Sequence, residues 1–166
     1  MRQRLIQSMS WQRVRGRRLA KQHFHEQNLQ QLGTQIAASE QGHSGEIVVA
    51  IEAVSPIHEP DSHLRALEVF GRLGVWDTPQ NTGVLLYVAL DRRRIELIAD
   101  RGISAQADRW QQICDDLQQA FKAHSYFPGV MAAVQQLEGV LRAHTPPEQS
   151  DHKDANHMDN RPVILS

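Results

Sequence analysis

A single cysteine, Cys114, stands among 166 residues, so no internal disulfide can form. A disulfide-stapled framework and a cysteine-rich metal cluster are both excluded. Long apolar runs are missing as well. No stretch of about 18 apolar residues occurs, so nothing reads as a membrane-spanning helix. The basic start lacks the apolar core of a secretory signal, because Trp11 and Val14 are followed by Arg15, Arg17 and Arg18. Arg17-Arg18 likewise lacks the apolar run of a twin-arginine signal. The default expectation is a cytoplasmic protein. Charge of one sign is scarce overall: the net charge of -1 speaks against a dedicated nucleic-acid binder.

Several reaction signatures are absent too. There is no GxxxxGK[ST] phosphate loop and no GxSxG elbow. His25-Glu26 does not extend to HExxH, because position 29 is Leu. Cys114 lacks the downstream arginine of a cysteine phosphatase loop, and its place on an apolar helical stripe predicts a structural role. Nine histidines are present, yet none shows a zinc-like spacing, which predicts ordinary surface residues.

What remains is an ordinary mixture, 22% charged and 40% apolar, of a length that fits one domain with tails. Arg2, Arg4, Arg13, Arg15, Arg17, Arg18 and Lys21 all precede the first acidic residue, Glu26. Residues 1–21 therefore form a basic leader. It reads either as a solvated lead into the first helix or as a segment that lies on an anionic membrane surface or an acidic partner. Helical spacing of Leu29, Leu32 and Ile36 predicts a helix over 19–39. A strand follows over 46–54, apolar on both faces. Asp61 or Ser62 caps a second helix with Leu64, Leu67, Phe70 and Leu73 on one stripe, ending at Gly74.

The most informative stretch is 81–103. Strands over 83–90 and 94–100 are joined by the turn Asp91-Arg92-Arg93-Arg94 and pair antiparallel. The three arginines read most simply as a solvated tip, otherwise as a contact for an anionic partner. Gly102 is expected to supply a positive φ for the exit turn. Helices follow over 104–123 and from Pro128 to Pro146. The tail, 145–166, is expected to be disordered. The order of elements predicts an α/β fold: a three-layer α/β/α sandwich with a small mixed sheet, whose domain spans 22–144.

A strand pair folded back on itself brings Asp77, Asn81 and Thr82 near Asp100 and Arg101. If the first two strands are parallel, Glu46 and His43 join them. Oxygen ligands from Asp77, Asn81, Asp100 and Glu46 could hold Ca2+ or Mg2+, and such an ion orients a phosphate and stabilises developing charge. Those residue types also make turns and caps without any ligand. His43 stands between Glu40 and Glu46, and neighbouring carboxylates favour a charged imidazole for ligation or proton transfer. A turn held by local polar contacts is the plainer reading.

Here the chain resembles the TPM domain family over about 29–141. The likeness rests on His43-Ser-Gly-Glu-Ile-Val-Val, Gly83-Val-Leu-Leu-Tyr-Val, Arg94-Ile-Glu-Leu, Asp100-Arg-Gly-Ile and Phe127-Pro-Gly. The resemblance implies an α/β/α sandwich and a diverse set of roles. One relative is a thylakoid-lumen protein associated with photosystem II repair and described as an acid phosphatase with a metal site. Another is an auxiliary subunit of a receptor channel. Many bacterial relatives are envelope-linked. Relatives often show Asp-Asn-Gly before the second strand, where Asn81-Thr82-Gly83 stands here, and Gly-x-Gly after the third, where Asp100-Arg101-Gly102 stands. These departures predict a non-catalytic accessory domain that binds a protein partner, with the basic leader at the inner membrane surface. The alternative is a weak divalent-metal-dependent acid phosphatase with Asp77 and Asp100 as catalytic residues. A calcium sensor is a third reading.

Overall fold

A computed structural model describes residues 2–39, 43–145, 160 and 162–165. Among these residues the elements run α1 (Arg2–His23), α2 (Glu26–Ser39), β1 (Glu46–Glu52), α3 (Ser62–Arg72), β2 (Gly83–Ala89), β3 (Arg94–Ala99), α4 (Ala107–Lys122), α5 (Tyr126–His144) and β4 (Val163–Leu165). The sheet order is β3-β2-β1-β4. β1 pairs parallel with β2 and with β4, while β2 and β3 run antiparallel.

β1 and β2 are buried along their whole length, as runs apolar on both faces demand. Alternate residues serve opposite layers. Ile47, Val49, Ile51, Val84, Leu86 and Val88 pack into a core with α2, α4 and α5. Val48, Ala50, Leu85, Tyr87 and Ala89 meet Ala66 and Val69 of α3 on the other face. This is the expected α/β/α sandwich with a small mixed sheet.

The differences from the sequence reading are local. The helix expected over 19–39 is two helices, with the break at Phe24-His25. The turn buries Phe24, and Asn28 Nδ2 closes it onto the His23 carbonyl at 2.8 Å. The stripe on α3 is rotated: Ala66 and Val69 face the sheet, and Leu64 and Leu67 face solvent. Val163–Leu165 are not disordered but form an edge strand, because the open side of β1 offers unpaired backbone groups to Val163, Ile164 and Leu165. Nor is the basic leader simply solvated. α1 docks on the end of β1 through Gly16, where a Cβ would overlap the Ala53 carbonyl oxygen and come within 2.9 Å of Asp91 Cβ. Arg15 Nη2 donates to the Asp91 carbonyl at 2.6 Å in the same contact.

Candidate functional site at the sheet end

Parallel pairing sets Glu46 opposite Gly83, and the antiparallel hairpin returns Ala99 to Val84. The amino ends of β1 and β2 and the carboxyl end of β3 therefore meet. Thr82 is the knot. Its Oγ1 donates to the Ser44 carbonyl at 2.5 Å and its amide to Thr78 Oγ1 at 2.8 Å. Its carbonyl accepts from the Glu46 amide at 3.1 Å.

Asn81 and Asp100 are brought together as the sequence reading requires. The Gly102 amide donates to the Asn81 carbonyl at 2.8 Å, and the Asp100 amide donates to the Gly83 carbonyl at 2.9 Å. Arg101 Nη2 reaches Asn81 Oδ1 at 3.4 Å. Gly102 has no positive φ; the left-handed residue is Asn81, at φ 55. Glycine is needed at 102 for another reason. A Cβ there would run into the carbonyl oxygens of Gln80 and Asn81.

The side chains are less convergent than the backbone. Asp100 Oδ1 accepts from the Arg101 amide at 2.7 Å, while Oδ2 is buried with no hydrogen-bond partner. Ser44 Oγ and Gln80 Oε1 are buried in the same condition. Glu46 and Asp100 flank β2 on opposite sides, which sets their backbones about 10 Å apart. Asp77 is exposed; its amide turns back to the Gly74 carbonyl at 2.8 Å. No described hydrogen bond joins its carboxylate to Asn81 or Asp100. His43 is buried and its Nδ1 accepts from the Gly45 amide at 3.1 Å, a bond that only the uncharged ring can accept at that nitrogen. Glu40 lies outside the described residues. Among the described residues no three His, Cys, Asp or Glu side chains gather to hold a metal ion. Buried oxygens here suit a hard cation in kind, but the described acidic donors stand apart.

The opposite end of the sheet is as polar and went unread in the sequence. Glu52, 1% exposed, ends β1 and receives Arg65 of α3 in a fork: Nη2 to Oε1 at 2.6 Å and Nε to both oxygens at 3.2 Å. The Tyr87 hydroxyl donates to Glu52 Oε2. Burial first, then the Glu52 bond, holds the Tyr87 hydroxyl well above its ordinary pKa. The Glu52 hydrogen bond raises Arg65 further still against its desolvation. Asp91 accepts from Ser55 N at 2.9 Å and Ser55 Oγ at 2.7 Å. Arg92 is not a solvated tip: it donates to the carbonyls of Pro56, Glu59 and Pro60 at 2.8 to 2.9 Å. A glutamate closing an otherwise apolar strand was the one signal available. Cys114 is half-buried on α4, and burial pushes its thiol up to about 11, which makes it a poor nucleophile.

A four-stranded mixed sheet between helical layers, with a polar knot at one end, defines a small α/β/α sandwich domain. The chain belongs to the TPM domain family, whose model matches residues 20–140. Among solved structures it is similar to the BA42 protein of the psychrophilic bacterium Bizionia argentinensis, at 26% identity and a TM-score of 0.73, covering 85% of this chain and 94% of that one. It also resembles the N-terminal domain of a P. gingivalis protein at 21% identity and a TM-score of 0.58, covering 77% and 84% of the two chains. No curated protein matches the chain. Among the described residues no helix is long and apolar enough to cross a membrane.

Proposed function

We propose that this chain is a non-catalytic TPM domain that binds a protein partner at an anionic membrane surface. The observation that carries this reading is the display of large apolar side chains on outward helix faces. On α1, Trp11 is 75% and Val14 56% exposed beside Arg13, Arg17 and Arg18. On α3, Leu64 and Leu67 face outward, and the stripe continues to Trp76, whose indole donates to the Gly71 carbonyl. Exposed apolar groups that cluster mark interaction surfaces more often than singletons do. A basic helix with an aromatic residue on its free face suits anionic lipid.

Co-sedimentation with anionic and neutral vesicles tests the membrane half. Wild-type protein is expected to bind anionic vesicles in a salt-sensitive way. Arg13→Gln/Arg17→Gln removes two surface charges, each contributing roughly 1 kcal/mol, so binding should weaken about 30-fold. Absence of salt-sensitive vesicle binding removes this half. For the partner half, one protein captured by wild type and lost with Leu64→Glu/Leu67→Glu is expected. Capture unchanged by that variant excludes the α3 face.

The second reading is a divalent-cation-dependent acid phosphatase using Asp77, Asn81, Asp100 and Glu46. Its support is the buried Oδ2 of Asp100, which has no hydrogen-bond partner. A Ca2+ or Mg2+ ion there would supply charge stabilisation to a bound phosphate. Melting with and without cation, together with phosphomonoester hydrolysis, tests it. Both effects should vanish in Asp100→Asn; a melting temperature indifferent to cations rules the assignment out.

A further inference from the structure

One arginine of the β2–β3 turn and the histidine of the half-turn between α4 and α5 share an unusual property. Arg93 and His124 both adopt left-handed backbone, at φ 55 and 60, which costs a non-glycine residue energy unless its surroundings enforce it. Both line the same place. A cavity of about 350 Å³ lies between β3 and α4, walled by Leu90, Ile95, Phe121 and Tyr126 and rimmed by Arg93, Lys122 and His124. It adjoins an open hollow of about 550 Å³ where α1 adds Arg15, Arg18 and His23 to Arg93 and His124. Among the described residues no acidic side chain lines either space.

Tyr126 joins the two. Its ring lies 4.8 Å from His23 of α1, 5.0 Å from Phe121 of α4 and 6.2 Å from His124, centroid to centroid. The hollow lies at the carboxyl end of the parallel strands, the end where open α/β sheets bind ligands. Its volume falls in the range of small-molecule sites. Positive charge accumulates there, and Asp91, which raises the pKa of Arg15, offsets only part of it. Burial first and the neighbouring Arg93 second lower the pKa of Arg15, and Arg15 Nε is buried without a partner.

We infer that this basic, aromatic-walled hollow binds a small organic phosphate, with its apolar body against Ile95, Phe121 and Tyr126 and its phosphate between Arg93, Lys122 and the arginines of α1. A planar apolar body matches the half-buried rings, and a dianionic head matches a rim on which the described cations outnumber the acids. The site is remote from the Asn81–Asp100 knot, and it stands whether or not α1 binds membranes.

The test uses the full chain in solution with EDTA, followed by amide chemical shifts as naphthalene-1-phosphonate is added. Its carbon–phosphorus bond keeps any phosphatase activity out of the readout. Saturable shifts at Arg93, Ile95, Phe121, His124 and Tyr126 are expected, with much weaker binding of 1-naphthol and of inorganic phosphate. Arg93→Gly keeps the left-handed turn, and Lys122 is exposed, so Arg93→Gly/Lys122→Gln should fold normally and bind at least about tenfold more weakly. Gln118→Glu, which puts an acid on the cavity wall, should weaken binding as well. Competition by vesicles containing phosphatidic acid, and not by phosphatidylcholine, would identify a lipid head as the source of the phosphate. Competition by neither vesicle would identify a soluble one. Wild-type affinity in both variants, equal binding of 1-naphthol, or shifts confined to the Asn81–Asp100 end would overturn the assignment.

Discussion

Single side chains show how differently the two ends of the sheet are held. Glu52 and Arg65 are both nearly inaccessible, so removing one strands the other as a buried charge, at a cost of about 3–5 kcal/mol. Urea unfolding of Glu52→Leu should show a loss of that size. Replacing the whole set, Glu52→Leu/Arg65→Met/Tyr87→Phe, should be clearly less damaging, because no polar group is then left unpaired. A triple variant as unstable as the single one would mean that shape, not charge, matters there. At the start of α3, Asp61 accepts from the amides of His63 and Leu64 at 2.8 and 3.0 Å. The Leu64 bond first and the His63 bond second hold its pKa below the ordinary 3.8. A depressed carboxyl stabilises the fold above its unfolded pKa and loses that contribution as pH falls through the folded value. The melting temperature of Asp61→Ala should therefore trail wild type at neutral pH, with the gap narrowing below about pH 4. A constant gap across that range would remove the charged cap as the cause.

Elements built by local pattern were the ones the sequence made legible. The apolar runs of β1 and β2, the Asp61 cap, the Gly74 stop and Pro128 in the first turn of α5 all stand where the residues point. Features decided by distant partners were not legible. Nothing local marks the break after His23, since no Pro or Gly intervenes; burial of Phe24 decides it. Three residues of β4 form a strand only because the edge of β1 waits for them. The sheet-end knot was legible in its backbone, because strand pairing fixes it. Its side chains were not, because register says nothing of where a carboxylate turns. Gly16 belongs to the hidden kind. By helix propensity alone Gly16→Ala should stabilise α1 by about 1 kcal/mol. The new Cβ would instead meet the Ala53 carbonyl and Asp91, and backbone cannot yield as a flexible side chain can. A net loss of about 1–3 kcal/mol is expected in denaturant melts, with faster hydrogen exchange across Arg15–His23. A stabilised Gly16→Ala would mean that α1 is not docked as described.

At the scale of the molecule, elements from far apart in sequence close on one peptide. The Ala53 carbonyl lies under Gly16 of α1, and the Ala53 amide donates to the Leu165 carbonyl of β4 at 3.1 Å. The same corner carries the Glu52–Arg65 fork and the Ser55–Asp91 bonds on its two sides. α1 and β4 thus brace the exit of β1 from opposite faces of the chain, and the hollow with Arg93 and Tyr126 opens beside that brace. Perturbations on neighbouring contacts of one backbone segment couple, whereas distant ones add within about 0.5 kcal/mol. A thermodynamic cycle can separate the cases. Gly16→Ala, removal of residues 162–166, and the two together should give a coupling of about 0.5–3 kcal/mol, because either change alone already loosens Ala53. The Asp100→Asn substitution, at the far end of the sheet, serves as the control and should add to each of them without coupling. If Gly16→Ala couples no more to the loss of β4 than to Asp100→Asn, then α1 and β4 do not act through Ala53, and the helix is held to the domain by the Arg15–Asp91 bond, the packing of Leu19 and Ala20 and the His23–Tyr126 contact.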